Sequence, residues 1–369
     1  MPVTTVSLRN FRSYEVATAH LDEDLTVLTG PNGAGKTNLL EGLYYGCTGR
    51  SCRTTNDREV VKFGASATRV VVSFDSDSGS HEIAVGFVPG EAKRMTLDGA
   101  NIERLVDSSV RPLVSVFLPD RLGLIKGAPA LRRSHLDQLV MALWPARSGT
   151  RRAYSETLAQ RNALLLRVRA GHARRSSLSA WDAQLAEHAL ALMDARRGAV
   201  ERTAREFSRM CGLLGLDGDP ALVYRPRSRA ADHSSYLLEL QQRVDGDLER
   251  GFTGHGPHRD EMSITCLGRE LRTYGSQGQQ RLALLALLMA EREVIAALRG
   301  TPPVLLLDDV MSELDGSRRA ALVGLLRDQP GQALITTTDL DQLPGSVRSS
   351  ISRLGVAGGG LLQAVSEAA

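Results

Sequence analysis

Several things are scarce in this chain of 369 residues. Lysine is rare: Lys36, Lys62, Lys93 and Lys126 are the whole set. The four cysteines, Cys47, Cys52, Cys211 and Cys266, form no C-x-x-C pair and no disulfide framework for so long a chain. A reducing, cytoplasmic setting is therefore expected. The longest apolar run, Leu282 to Ala290, is about half the roughly 18 residues that span a bilayer, which excludes a membrane helix there. The opening residues MPVTTVSLRNFRSYE contain no apolar h-region, so no secretory signal is expected. Charge bias is missing too: 45 basic against 42 acidic residues leave +3, too little to argue for nucleic acid from composition.

What is present is ordinary for a globular protein. With 42% hydrophobic and 24% charged residues, the chain can bury a sizeable core and is not largely disordered. Its length predicts two or three domains, or one domain with a large insertion. Charge is unevenly spread. Between Arg147 and Arg175 lie Arg147, Arg151, Arg152, Arg161, Arg167, Arg169, Arg174 and Arg175 against one acid, Glu156. Such a stretch fits a phosphate-tracking surface and equally a solvated helix face.

Alternating residues from Val3 to Leu8, and apolar runs at 25–28, 69–74 and 81–87, predict strands. SDSGS at 76–80 predicts a hairpin turn. Composition changes near Pro119. From about Leu122 to Leu214 the chain is rich in Leu, Ala and Arg, and 136–144, 154–168 and 179–200 have helical periodicity. Residues 225–235 predict a loop, Tyr236–Arg250 a helix, Met262–Leu267 a strand, and about Gln277 to Leu298 a long helix stopped by Gly300 and Pro302. Val304–Leu307 and Ala333–Thr336 predict buried strands. The helical middle thus reads as an insertion that splits one nucleotide-binding domain.

Residues 30–37, GPNGAGKT, fit G-x-x-x-x-G-K-[ST] after a strand and before a helix. Glycines let backbone N–H groups turn inward around a phosphate at a helix N-terminus. Lys36 supplies a charge to the β- and γ-phosphates, and Thr37 a hydroxyl for Mg²⁺. With lysine so rare, composition seldom produces this match by accident. Val304 to Asp309 (VLLLDD) is an apolar strand delivering two carboxylates, a Walker B arrangement: Asp308 toward Mg²⁺, Asp309 as general base or water-orienting group. The plainer reading of these acids is a helix N-cap.

A third constellation, Ser276-Gln277-Gly278-Gln279-Gln280, opens the long helix. Ser276 suits an N-cap, and a helix start with Ser and Gly also suits an anion. One P-loop with one separate phosphate-facing helix start invites a homodimer, as in ABC-type ATPases, with each γ-phosphate between the P-loop of one subunit and the Ser276 helix of the other. SQGQQ departs from the transporter form LSGGQ. Ser312 and Asp315, just after Walker B, match the D-loop of that class.

Taken together these residues resemble the RecF family of recombination mediators, related to SMC-type ATPases. The likeness runs along nearly the whole chain: LRNFRSY (8–14), the P-loop segment, GRSCRTTNDREVVKFG (49–64) with an S-x-R-x-x-x-D pattern, FLPDRLGLIKGAPALRRSHLDQL (117–139), FTGHGPHRDEM (252–262), YGSQGQQR and LLLDDVMSELD. Leu118 and Arg121 depart from the commoner residues. The resemblance implies an α/β fold: an ABC-type ATPase head with a mixed sheet, formed by 1–116 and 300–369, and a compact, mainly helical second lobe, 117–299, carrying the signature. It implies ATP with Mg²⁺, ATP-dependent dimerisation, slow hydrolysis used as a switch, and binding of duplex and gapped DNA. RecR, with RecO and RecA in the pathway, are the implied partners. The ATP set would be Gly30, Pro31, Asn32, Gly33, Ala34, Gly35, Lys36, Thr37 and Asn38, with Arg12 approaching the nucleotide and Thr337 or Thr338 in place of the switch histidine. Arg147, Arg151, Arg152, Arg161, Arg167 and Arg169 become candidates for DNA contact. His258, Arg259 and Asp260 are implied as a structural or signalling loop.

Other features read more plainly. His255, His258 and Asp260 lie in a Gly/Pro loop without further ligands, so a metal site is not expected. Trp144 and Trp181 lie on helical faces and suit the core, and Cys47 and Cys52 read as half-buried thiols. An ABC-type motor subunit or a nucleotide-gated protein scaffold without DNA contact is the alternative. Salt dependence separates these readings, because direct phosphate contact weakens steeply with salt.

Overall fold

The computed structural model describes residues 1–105, 108, 110–118, 122–344, 351–358 and 360–363. Pro119 and Arg121, singled out above, lie outside them. The chain clusters into two units. One comprises Met1–Arg121, Leu213–Gly215 and Leu284–Ala369; the other comprises Leu122–Gly212 and Leu216–Ala283.

The first unit starts with β1 (Val3–Phe11), β2 (Tyr14–His20), β3 (Leu25–Thr29), α1 (Lys36–Thr48), β4 (Thr68–Ser76), β5 (Gly79–Phe87), β6 (Arg94–Leu97), β7 (Ala100–Asn101) and β8 (Val114–Phe117). An antiparallel sheet runs in the order β2-β1-β4-β5-β6-β7. Its inner face carries Val6, Leu8, Val70 and Val72, all buried, as the period-2 pattern requires. The expected hairpin joins β4 to β5 in register from Ser76↔Gly79 outward.

The second unit continues with α2 (Gly123–Lys126), α3 (Pro129–Leu143), α4 (Thr150–Arg169), α5 (Leu178–Leu213), β9 (Ala221–Arg225), α6 (His233–Arg250), β10 (Glu261–Cys266), β11 (Arg269–Glu270) and α7 (Leu271–Tyr274). Tyr154 of α4, Leu185, Ala186 and Ala189 of α5, and Tyr236 and Leu240 of α6 share one core. Asp232 and Ser235 form a reciprocal capping box, so α6 starts at His233, within the stretch expected to be loop. Trp144 and Trp181 are half-buried, not core; Arg147 and Arg202 stack on Trp144 with centroid distances of 5.0 and 5.8 Å.

The long α8 (Gln277–Arg299) follows, then β12 (Val304–Leu307), α9 (Gly316–Asp328), β13 (Ala333–Thr337), β14 (Ser352–Ala357) and β15 (Gly360–Gln363). Residues 284–299 cluster with the first unit, whereas the sequence division put them in the helical lobe. Arg292, in that half of α8, is 1% exposed and donates to Pro330 O at 3.2 Å, within the first unit.

A mixed sheet of order β15-β14-β3-β13-β12-β8 completes the first unit. Strands β14-β3-β13-β12-β8 run parallel, and the central β12 and β13 are buried at every position. β12 and β13 are accordingly continuous apolar runs. Helix α1 packs close on the antiparallel sheet because two of its positions are glycine. A Cβ on Gly42 would lie 2.6 Å from Leu8 Cδ2, and one on Gly46 2.3 Å from Val72 Cγ2. Adding either methyl would cost about 1–3 kcal/mol through overpacking. Gln332, 3% exposed, links the sheets: its Nε2 donates to Val3 O and Asp22 O, both at 2.7 Å, and its Oε1 accepts from Val3 N at 2.8 Å. The carboxyl ends of β3, β12 and β13 therefore lie side by side, where open α/β sheets bind ligands.

Candidate nucleotide site

The loop after β3 turns through left-handed glycines, Gly33 at φ 79° and Gly35 at φ 116°. Only glycine adopts these angles without strain. They start α1 with its N–H groups open to a cavity of about 330 Å³. Asn32, Gly33, Gly35, Lys36, Thr37, Asn38, Arg53, Asp308, Asp309, Thr336 and Thr338 line it.

Within that cavity Lys36 and Asp308 are held by neutral groups. Lys36 Nζ folds back onto Gly30 O at 2.6 Å and Pro31 O at 3.0 Å. Burial lowers its pKa, while Asp309 and Asp308 act in the opposite direction. Thr37 Oγ1 lies 2.9 Å from both oxygens of Asp308. Thr336, the penultimate residue of β13, donates to Asp308 Oδ1 at 2.8 Å and accepts from Asp309 N at 2.8 Å. Burial pushes the Asp308 carboxyl upward, against the two threonine hydroxyls that favour its charged form. Asp309 adopts a left-handed backbone, φ 45° and ψ 29°, and its buried Oδ1 has no partner. A buried carboxylate oxygen without a donor is costly, and here it lies in a residue lining the cavity.

Two lining residues carry no assignment from sequence. Thr336 belongs to no motif; only its place at the end of a strand between the P-loop strand and the Walker B strand singles it out. Arg53 is the arginine of the S-x-R-x-x-x-D pattern. Its guanidinium reaches Asn38 Oδ1 at 3.1 Å and Glu41 Oε2 at 3.2 Å, and its charge acts on Asp308. Of the two threonines left open, Thr338 lines the cavity. Thr337 is fully buried and bonds instead to Asp339 O at 2.9 Å and Gln342 Oε1 at 3.1 Å.

Arg12 is held by Glu41 and by the backbone of Glu59. Its Nε and Nη2 make a bidentate pair with Glu41 at 2.9 and 2.7 Å, and its Nη1 donates to Glu59 O at 2.7 Å. The buried Glu41 carboxylate claims the fork, and Arg12 is not among the residues lining the cavity. Ser312 Oγ donates to Asp309 O at 2.9 Å. Asp315 caps α9, accepting from Arg318 N at 3.0 Å and Ser317 Oγ at 2.7 Å.

The signature segment lies in the second unit. Ser276 N donates to Gln279 Oε1 at 2.9 Å and Gln279 N to Ser276 Oγ at 3.2 Å, a capping box at the start of α8. Ser276, Gln277 and Gly278 are exposed. Gln280 is buried; its Nε2 donates to Leu271 O and Gly275 O at 2.8 and 3.0 Å.

The arginine-rich stretch needs a correction. Arg161 is fully buried. It pairs with Asp182 at 2.6 Å and Asp247 at 2.9 Å, and donates to Thr253 Oγ1 at 2.6 Å, so it faces the interior and not DNA. Its helix position explains this: Tyr154, Thr157, Arg161 and Leu165 form the buried stripe of α4. Arg151 pairs with Asp137 at 3.2 Å, Arg152 with Glu156 at 2.7 Å, and Arg147 with Asp194 at 3.4 Å. Arg169 donates to Glu249 O at 3.3 Å. Of the six candidates, only Arg167 makes neither a hydrogen bond nor an ion pair with its side chain among the described residues.

That helix holds the GHGPHRD loop. Asn162 Oδ1 accepts from Thr253 N and Oγ1 at 2.8 and 2.7 Å. His258 Nε2 contacts Thr253 O at 2.9 Å and Nδ1 the Tyr154 hydroxyl at 2.6 Å. Burial lowers the His258 pKa to about 4, so the ring is neutral. With Thr253 O as acceptor, Nε2 carries the proton and Nδ1 accepts. Asp260 accepts from Arg227 N at 2.8 Å, Arg196 Nη1 at 3.2 Å and the Tyr224 hydroxyl. Among the described residues no cluster suits a metal ion, and no helix is long and apolar enough to cross a membrane.

Comparisons with known proteins agree with this geometry. The family described as RecF/RecN/SMC N terminal domain matches residues 2–352. The DNA replication and repair protein RecF of Myxococcus xanthus is 36% identical, covering 97% of this chain and 96% of that one. The RecF of an Anaeromyxobacter species is 38% identical, covering 92% and 93%. Among solved structures, that of the recombination mediator protein RecF-ATP in the RecFOR pathway has a TM-score of 0.86 at 26% identity, covering 99% and 98%. An Smc head bound to the C-winged helix domain of ScpA shares the fold, with a TM-score of 0.60 at 16% identity over 98% and 96%. A P-loop and a Walker B strand set in an ABC-type ATPase head, with this likeness along the whole chain, mean that the chain belongs to the RecF family.

Proposed function

We propose that this chain is an ATP-dependent DNA-binding protein of recombinational repair and replication-fork maintenance. ATP closes a homodimer on duplex DNA and on single-strand/double-strand junctions at gaps. In that state it helps RecO and RecR load RecA, and slow hydrolysis releases it. The observation that carries the reading is the incomplete pairing in the nucleotide cavity: Lys36 rests on loop carbonyls, and Asp309 Oδ1 is buried without a donor. The relatives named RecF, one solved as RecF-ATP, support it.

The residues fit Mg²⁺, a hard cation that takes oxygen ligands. Thr37 and Asp308 would hold the ion, which neutralises phosphate charge. Lys36 exchanges the Gly30 and Pro31 carbonyls for phosphate oxygens. Asp309 orients the attacking water and accepts its proton. Arg53 adds a second cation on the cavity wall. Ser276 and the N–H groups of Gln277–Gln280 meet the γ-phosphate of the partner subunit, and Ser312 and Asp315 stand in the D-loop position. ATP then acts as a timer, expressed as the population of closed dimer.

The test is binding of purified protein to gapped duplex DNA with ATP, with ADP and without nucleotide, at two salt concentrations. ATP alone should promote salt-sensitive binding. Lys36→Met should abolish it, and Asp309→Asn should keep it but prolong it after ATP is withdrawn. Binding that ignores the nucleotide would sink the DNA-switch reading and favour a protein-directed one.

A further inference from the structure

The exposed face of the antiparallel sheet carries arginines in an arrangement that sheets ordinarily avoid. Cross-strand register puts Val16, Arg9, Arg69, Gly86 and Arg94 in one row across β2, β1, β4, β5 and β6. Directly paired residues share a face, so the side chains of Arg9 and Arg69 stand about 5 Å apart at Cβ. Both are exposed. Neither has an acid partner among the described residues. Arg94 follows roughly 10 Å beyond Arg69; it is 85% exposed and touches Glu91 only at 3.9 Å.

The next row is Thr18, Ser7, Val71, Ala84 and Thr96, without any charge. The row beyond it, His20, Thr5, Ser73 and Glu82, carries one acid. Beside Arg9 along β1, Lys62 N donates to Asn10 O at 2.8 Å, and the following residue, Phe63, is wholly exposed at 101%. Like charges directly opposite each other destabilise a sheet. A chain that leaves them unpaired has a row of cations available for a polyanion, with an exposed aromatic residue nearby.

We infer that this sheet face, through Arg9, Arg69 and Arg94, is a surface on which the phosphate backbone of duplex DNA lies. The inference rests on the DNA-binding reading above and assigns the contact to the first unit, not to α4. Phosphate contact sets the salt dependence of binding, with a slope of about −0.9 per phosphate neutralised. The ring of Phe63 adds contact that salt does not screen.

The experiment measures ATP-dependent binding to a duplex at four or five salt concentrations, with the thermal midpoint and ATP affinity of each variant taken in parallel. The Arg9→Gln/Arg69→Gln double variant should lose about 1.8 of the salt slope and bind roughly tenfold or more weakly at physiological salt. Its thermal midpoint should stay level or rise, because a repulsion has been removed, and its ATP affinity should not change. Phe63→Ala should weaken binding and leave the slope as it was. An unchanged slope in the double variant, beside a wild-type chain that binds normally, overturns the surface assignment alone. A wild-type chain that binds no DNA with ATP overturns the assignment together with the reading on which it rests.

Discussion

Two regions of this protein are rich in arginine, and they use it in opposite ways. On α4 the guanidiniums are answered: Arg161 by Asp182, Asp247 and Thr253, Arg151 by Asp137, Arg152 by Glu156. On the antiparallel sheet Arg9 and Arg69 face each other without an acid. Composition favours α4 as the site of phosphate contact, because the charge there is dense along the sequence. Partnering reverses that order. A cation already paired with a carboxylate has little left to offer a phosphate, and a buried one has nothing.

Arg161→Met tests directly whether the arginines of α4 are structural. If α4 is structural, removing this cation leaves Asp182 and part of Asp247 as buried anions without compensation. Breaking such a pair costs about 3–5 kcal/mol. Urea unfolding of the variant should show the second unit melting early, with the midpoint shifted and the slope retained. The GHGPHRD loop should lose proteolytic protection at the same time, since Thr253 loses its guanidinium. Stability within about 0.5 kcal/mol of wild type would contradict the structural role.

Much of the nucleotide site was legible because its signals are local. GPNGAGKT and VLLLDD each carry their chemistry within eight residues, and the S-x-x-Q pattern at Ser276–Gln279 announces its own cap. Thr336 was not legible, since only the β3-β13-β12 strand order brings it to Asp308. The Arg12–Glu41 pair is not legible either, since nothing local in the sequence links residues 12 and 41. β2 gives a weak signal because its inward residues after Tyr14 are Ala17 and Ala19, weak strand formers, and β14 and β15 are short, six and four residues. The burial of Arg161 did leave a trace. Tyr154, Thr157, Arg161 and Leu165 are spaced three, four and four apart, a single helix face. Asp182 stands on the same stripe of α5 as Leu185, Ala186 and Ala189. An arginine and an aspartate, each on an apolar stripe, signal a buried pair.

His258 gives the second unit a pH dependence that the arginine pairs do not. The folded pKa of His258 is near 4, depressed by burial from the ordinary value near 6.5. A depressed histidine is neutral in the fold, and the unfolded chain takes up a proton that the native state refuses. Stability from this group is therefore intact above pH 6.5 and is lost as pH falls toward 4, at up to about 1.4 kcal/mol per pH unit. The thermal midpoint of the second unit should fall across that window. His258→Asn, which can still donate to Thr253 O, should flatten the dependence. An equal slope in both proteins would remove His258 as its source.

The exposed arginines of α4 separate the two surfaces with little cost in stability. Arg152 and Arg167 lie exposed on α4, one paired with Glu156 four residues on, the other without a side-chain partner. Exposed i,i+4 pairs contribute about 0.3–0.5 kcal/mol, so Arg152→Gln/Arg167→Gln should stay within about 0.5 kcal/mol of wild type in stability. If DNA lies on the sheet face, the same variant should also keep the full salt slope of DNA binding. Loss of slope here, with Arg9→Gln/Arg69→Gln unaffected, would return the contact to α4. Arg167 would then be the residue that carries it, since it is the cation of that helix with no neighbour to satisfy it.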